Sequence, residues 1–235
     1  MENIKSVIFD MYETLFPNAP ESWEEVFRNI VKAQDLAVSS RDLWLIWREK
    51  DKAFRRERIN LQDPLKSPSF KTYFAAWTDT FVSTFKELDL SGDAYLAARN
   101  CIEKMAERSP FDDTLSTLNI LSNDFDLGIL SNADNAYALP LIKRYALPVK
   151  CVVTSEIAKA YKPHPDAFRV ILEQMGASSQ QSLYIGDNPL DDIWGGTMAG
   201  LTTVWLNRHN ATWDNNLPKP SYEIHNLNQL VTILS

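Results

Sequence analysis

Several short apolar runs in this chain stop at residues able to do chemistry. Ser6-Val7-Ile8-Phe9 ends at Asp10, and Leu127-Gly128-Ile129-Leu130 ends at Ser131-Asn132. Leu183-Tyr184-Ile185 ends at Gly186-Asp187, with Asp191 and Asp192 close behind. Cys151-Val152-Val153 is followed further on by Lys162-Pro163. Carboxylates, a hydroxyl–amide pair and an ammonium are the parts needed to hold an anion and a hard cation. Carboxylates brought together unaided repel one another, and an oxygen-seeking divalent ion such as Mg²⁺ removes that repulsion. Ser131 with nearby backbone N–H groups suits anionic oxygens, and Lys162 suits developing negative charge.

These groups act together only if the apolar runs lie side by side. Each run is apolar on both faces rather than alternating, which reads as a buried parallel strand. Thr203-Val204-Trp205-Leu206 reads the same way. Between the runs lie segments of helical period, clearest over Pro165 to Met175, where Phe168, Ile171, Leu172 and Met175 share one face. Strands alternating with helices predict an α/β fold with a doubly wound parallel sheet. Ligands bind such sheets at the carboxyl ends of the strands, where the candidate residues fall.

The stretch from Phe16 to Pro110 has no strand signal. Ser22-x-x-Glu25 resembles a capping box ahead of Trp23, Val26, Phe27, Ile30 and Val31. A second helix is expected from Ser39 or Ser40, a third from about Ser69 carrying Phe70 to Phe85, and a fourth after Ser91-Gly92-Asp93. Asn60 to Ser69, with Pro64 and Pro68, is expected to be a loop. The reading is a sheet domain of residues 1–15 and 111–235, interrupted by a helical bundle of residues 16–110.

Bulk composition narrows the function. With 24 basic and 31 acidic residues and a formal net charge of −7, the chain has no electrostatic reason to bind nucleic acid or an anionic membrane. An anion site must then be a local device. Cys101 and Cys151 lie in separate segments without metal-ligand spacing, as expected in a reducing cytoplasm. The N-terminus lacks the pattern of a signal peptide and no apolar stretch approaches the roughly 20 residues of a membrane span, so the expectation is a cytoplasmic monomer or homodimer.

Phe9-Asp10-x-Tyr12-x-Thr14-Leu15, Ser131-Asn132, Lys162-Pro163 and Gly186-Asp187-x-x-x-Asp191-Asp192 resemble, in order, the four motifs of the haloacid dehalogenase-like (HAD) hydrolase superfamily. The resemblance covers the sheet domain, implies a Rossmann-like core, and puts the helical insert where that family carries its C1 cap. It implies that Asp10 is a covalent nucleophile, supported by Lys162 and Thr14. It implies a small anionic substrate bound by Ser131 and Asn132. It also implies Mg²⁺ held by Asp10, Asp187 and the backbone carbonyl of Tyr12, with Asp192, or alternatively Asp191, supporting the metal.

Two features pull this resemblance apart. Family phosphatases carry a second Asp two positions after the nucleophile as general acid; Tyr12 stands there, as it does in the family's metal-independent 2-haloacid dehalogenases. Trp47-Arg48-Glu49-Lys50 also resembles the cap stretch that carries their halide-binding arginine, which would make Arg48 and Tyr12 substrate-binding. Against this, Gly186-Asp187 is the metal-binding form of the fourth motif, and an acid beside the nucleophile without a cation is a costly buried charge. The leading expectation is a Mg²⁺-dependent phosphatase of a small phosphorylated metabolite. The alternatives are a 2-haloacid dehalogenase and a phosphate-binding protein of little activity. Glu13 occupies a position where relatives often have Gly.

Overall fold

The structure is a computed structural model and describes residues 3–234. It divides into two compact units: Met1–Pro17, Ser109–Asn132 and Ile142–Ser235 in one, Asn18–Arg108 and Ala133–Leu141 in the other.

The first unit is built on six parallel strands: β1 (Ser6–Phe9), β2 (Asp126–Ser131), β3 (Cys151–Thr154), β4 (Ser182–Gly186), β5 (Thr202–Leu206) and β6 (Tyr222–Ile224). Their order is β3-β2-β1-β4-β5-β6. The order reverses between β1 and β4, the crevice where doubly wound sheets take their ligands. β1 and β4 are buried along their whole length, as their mostly apolar sequence requires. Tyr222–Ile224 gave no apolar run to read, because it is an edge strand with two exposed residues.

The second unit holds α1 (Glu21–Ala33), α2 (Ser40–Glu57), α3 (Tyr73–Glu87) and α4 (Ala94–Met105). Trp23, Phe27, Trp47, Trp77 and Phe81 recur at helical spacing and pack ring against ring, with centroids 5.3–6.0 Å apart. Ser39, Thr72 and Asp93 cap the last three helices by accepting the N–H of Asp42, Ala75 and Leu96. Two expectations shift. Ser22 lies inside α1, which starts behind Pro20 with no side-chain cap, because proline already holds a helical φ of −52°. The third helix begins at Tyr73 rather than near Ser69, so Phe70 precedes it. Pro64–Lys66 forms a 3₁₀ turn within the loop.

The remaining helices are α5 (Thr114–Leu121), α6 (Asn135–Arg144), α7 (Ser155–Ala158), α8 (Pro165–Met175), α9 (Gly195–Met198) and α10 (Asn228–Leu234). α6 straddles the unit boundary, and its first residues group with the helical unit. There Asp134, 2% exposed, accepts the backbone N–H of Tyr73 and Phe74 at 2.8 and 2.7 Å, and Tyr137 stacks on Trp77. Among the described residues no helix is long and apolar enough to cross a membrane.

Candidate active site

Asp10 follows β1 directly, and its own N–H is tied to Ile185 of β4 at 2.8 Å. The chain then folds back at once: Leu15 and Phe16 donate to the Met11 carbonyl at 2.8 and 2.9 Å, and Glu13 donates to the Phe16 carbonyl at 2.7 Å. Closing so short a loop requires a left-handed residue, and Glu13 supplies it at φ 66°. Glycine adopts positive φ without steric cost, so Glu13 stands where the backbone would accept glycine more easily. Thr14 is fully buried, and its hydroxyl has no hydrogen-bond partner among the described residues.

Lys162 lies at the centre of the site, 1% exposed. Its Nζ donates to Asp10 Oδ1 at 2.7 Å, to Asp192 Oδ1 at 2.6 Å and to the Tyr184 hydroxyl at 2.7 Å. Asn132 holds the lysine backbone from both sides: Lys162 N–H donates to its Oδ1 at 2.7 Å, and its Nδ2 donates to the Lys162 carbonyl at 3.0 Å. The same Nδ2 lies 3.1 Å from Asp191 Oδ2. Of the two neighbouring acids, Asp192 therefore faces Lys162 and Asp191 faces Asn132. Asp192 also accepts the Asn188 N–H at 2.9 Å. It fits because residue 186 is glycine: a Cβ there would stand 2.3 Å from the Asp192 Cγ. Asn188 caps the π-type turn Pro189–Trp194 that carries both acids, its Oδ1 accepting from Leu190 and Asp191 at 2.9 Å.

Asp187 is placed differently. Among the described residues no hydrogen bond or ion pair reaches its side chain, and only its main-chain carbonyl is held, by Trp205 Nε1 at 2.8 Å. One carboxylate oxygen from each of Asp10, Asp187 and Asp192 lies within 4.8 Å of the others. Burial, then the charges of Asp192 and Asp10, hold the Asp187 carboxyl well above its ordinary range. Burial likewise raises Asp10 to about 6, against the pull of Lys162. Burial alone would lower the lysine, but Asp10 and Asp192 outweigh it and keep the ammonium charged. Fully ionised, the three carboxylates would leave two negative charges that the one ammonium does not compensate. An all-oxygen donor set with that deficit fits a hard divalent cation such as Mg²⁺.

Asp10, Lys162, Asp187, Asp192 and Asn132 are thus brought together, with Ser131, 2% exposed, at the end of the neighbouring β2. Tyr12 lies on the loop after Asp10, bridged to Phe16. Arg48 belongs to the helical unit, where its guanidinium stands 5.0 Å over the Trp44 ring. Tyr184 was not singled out in advance. Its signal is a tyrosine inside a buried strand, where a hydroxyl must find a partner.

A buried acid–lysine–acid cluster thus lies at the switch point of a doubly wound sheet. Residues 4–200 match the haloacid dehalogenase-like hydrolase family, and the chain belongs to that family. Haloacetate dehalogenase H-2 of Moraxella sp. (strain B) is 23% identical over 240 residues, spanning 100% of both proteins. Pyrimidine 5'-nucleotidase YjjG of Escherichia coli (strain K12) is 31% identical over 137 residues, 57% of this chain and 60% of that protein. The solved structure of the HAD-hydrolase YfnB of Bacillus subtilis, bound to magnesium, shares the fold at a TM-score of 0.79 and 22% identity over 99% of both chains. Further relatives include both 2-haloacid dehalogenases and phosphatases.

Proposed function

We propose that this hydrolase cleaves phosphate monoesters, with Asp10 as nucleophile and Mg²⁺ as cofactor. One observation carries the reading: Asp187 sits with Asp10 and Asp192, donor oxygens within 4.8 Å, and Lys162 neutralises only part of their charge. A dehalogenase that works without metal has no use for this extra acid.

Asp10, Asp187 and the Tyr12 carbonyl would hold the ion, with Asp192 supporting it. When bound, it supplies positive charge against the equatorial oxygens of the transferring phosphoryl group. Lys162 fixes Asp10 through Oδ1, which leaves Oδ2 to form the bond to phosphorus as the ester P–O bond breaks. The departing oxygen takes its proton from water. Water then attacks the aspartyl phosphate, releasing phosphate and restoring the carboxylate. Ser131 and Asn132 bind the phosphoryl oxygens. Because Tyr12 replaces the usual acid, and a phenol of pKa about 10 is a poor proton donor at neutral pH, the site favours esters with good leaving groups such as enol or aryl phosphates.

The test is phosphate release from such esters and from alkyl phosphates in Mg²⁺. Turnover of the first group, abolished by Asp10→Asn, supports the reading; silence across the panel ends it. A second reading, a 2-haloacid dehalogenase, draws on Tyr12 and on the full-length similarity to haloacetate dehalogenase H-2. Halide release from haloacetate or 2-chloropropionate that persists in a chelator would establish it in place of the first.

A further inference from the structure

The residues that end β5 belong to none of the four motifs, yet they hold two loops of the site. Trp205 Nε1 donates to the Asp187 carbonyl at 2.8 Å. Its ring is packed edge-on by Trp213, with centroids 4.9 Å apart. Three residues on, Arg208 grips the loop after Asp10: Nη2 donates to the Thr14 carbonyl at 3.0 Å. The same guanidinium forms a fork on Asp113 at 2.9 and 2.8 Å and lies 4.1 Å over the Phe111 ring. His209 Nε2 stands 3.2 Å from Glu13 Oε2. Consecutive residues after β5 thus hold consecutive residues of the nucleophile loop.

That loop needs holding. Glu13 at φ 66° occupies a region that non-glycine residues enter only at a cost, and such a conformation persists only where its surroundings over-determine it. The loop's internal hydrogen bonds fix its closure but not its aim. Its outward anchors include Arg208 on the Thr14 carbonyl, together with Thr114 Oγ1 at 2.9 Å and the Phe111 N–H at 3.0 Å on the Leu15 carbonyl. Arg208 is itself immobilised. Its side chain is 12% exposed, and its partner Asp113, 10% exposed, is pinned by the Leu227 N–H at 2.8 Å. The planar fork meets both carboxylate oxygens of Asp113 in parallel and still reaches the Thr14 carbonyl, a bidentate geometry that a lysine ammonium does not reproduce.

We infer that Arg208 is a positioning residue for the nucleophile loop and Trp205 a positioning residue for Asp187, so that the end of β5 sets the geometry between the two acids. The inference rests on the proposed role of Asp10, but its first test needs no turnover. Amide hydrogen exchange is compared in wild type, R208K, W205F, E13N and R208K/E13N. R208K speeds exchange at Glu13, Leu15 and Phe16 while β1 is unchanged, and W205F does so at Asn188 to Ile193. Asparagine tolerates the left-handed region, so E13N relaxes the turn and R208K/E13N recovers most of the lost protection. Unchanged exchange in the two loops, or equal loss from R208K with and without E13N, overturns the inference even in a protein that hydrolyses nothing.

Where turnover is found, R208K lowers kcat about 10²-fold with KM within about threefold, as a misplacement near 1 Å does. R208K/E13N regains about tenfold of that loss, which a general loss of stability would not allow. W205F weakens Mg²⁺ binding, read by calorimetry, about tenfold, the usual effect of losing a group that orients a ligand. An unaltered kcat in R208K, or unaltered Mg²⁺ affinity in W205F, removes the corresponding assignment. Full activity of wild type on haloacids alone refutes the phosphatase reading and leaves the Arg208 assignment standing.

Discussion

Replacing Lys162 by methionine tests the charge arrangement on which the site depends. The side chain keeps an unbranched apolar stem of similar volume, with sulfur for one methylene, and loses the terminal ammonium. Nζ lies 2.7 Å from Asp10 and 2.6 Å from Asp192, and all three side chains are at most 8% exposed. At about 3 Å in an effective dielectric near 20, each contact supplies roughly 5–6 kcal/mol of attraction before desolvation. Desolvation offsets most of this, but removing one partner of a buried pair typically costs about 3–5 kcal/mol, because the other charge is left alone. K162M is therefore expected to lose about 3–5 kcal/mol at pH 8, a fall of roughly 6–20 °C in Tm for a chain of this size. Protonation is the escape route, since Asp10 holds its proton to about pH 6 even with the lysine present. K162M should regain much of its stability at pH 5, and Mg²⁺ at pH 8 should raise its Tm more than that of wild type by replacing the lost positive charge. Scanning calorimetry at both pH values, with and without Mg²⁺, reads all of this. A variant melting within about 2 °C of wild type at both pH values would refute the ionic account of the centre, and melting of both proteins indifferent to Mg²⁺ would refute compensation by a cation.

Three further outcomes follow from the same geometry. Asp187→Asn removes a charge that the protein does not balance, so the metal-free Tm holds or rises while the Mg²⁺-induced shift disappears; a shift that survives takes the metal away from this residue. Gly186→Ala drives a Cβ to 2.3 Å from the locked Asp192 side chain, and it should cost about 1–3 kcal/mol of stability as well as activity; an unchanged melting curve contradicts the packing described. The Asp10 carboxyl, raised from 3.8 to about 6, holds its proton longer in the folded than in the unfolded chain. Its contribution to metal-free stability therefore declines by about 3 kcal/mol as pH climbs from about 4 through 6. Mg²⁺ requires the ionised form, so its affinity should climb as the pH rises through 6 with release of protons; calorimetry in buffers of different ionisation enthalpy measures both, and a flat profile speaks against it.

Strand-end logic made much of this site readable in advance. A buried parallel strand shows as an unbroken apolar run, so Asp10, Ser131 and Asp187 announced themselves by terminating one. Lys162 lies eight positions beyond the end of β3 at Thr154, so its place on the rim followed from chain order and its role toward Asp10 only from the resemblance. What stayed hidden depends on contacts between distant segments. Tyr184 reads as one more apolar strand residue until its hydroxyl is seen between Lys162 and the Leu130 carbonyl. Arg208 reads as an ordinary loop cation 194 positions from the carbonyl it holds. Glu13 could not be explained from its chemical type, because the requirement lies in its backbone angle. Which way Asp191 and Asp192 face is likewise hidden in two adjacent identical residues, and depends on the π-type turn that directs one toward Asn132 and the other toward Lys162.

The membership of Ala133–Leu141 in the helical unit bears on how such proteins diverge. A recombination event that imported only residues 18–108 would leave behind the carboxylate of Asp134, which caps α3, and the ring of Tyr137, which lies on Trp77. The transplanted bundle would keep the Thr72 cap but arrive with the Tyr73 and Phe74 N–H groups unpaired and a gap in its aromatic packing. Exchange of residues 18–108 alone is thereby penalised, and a viable exchange must carry Ala133–Leu141 with it.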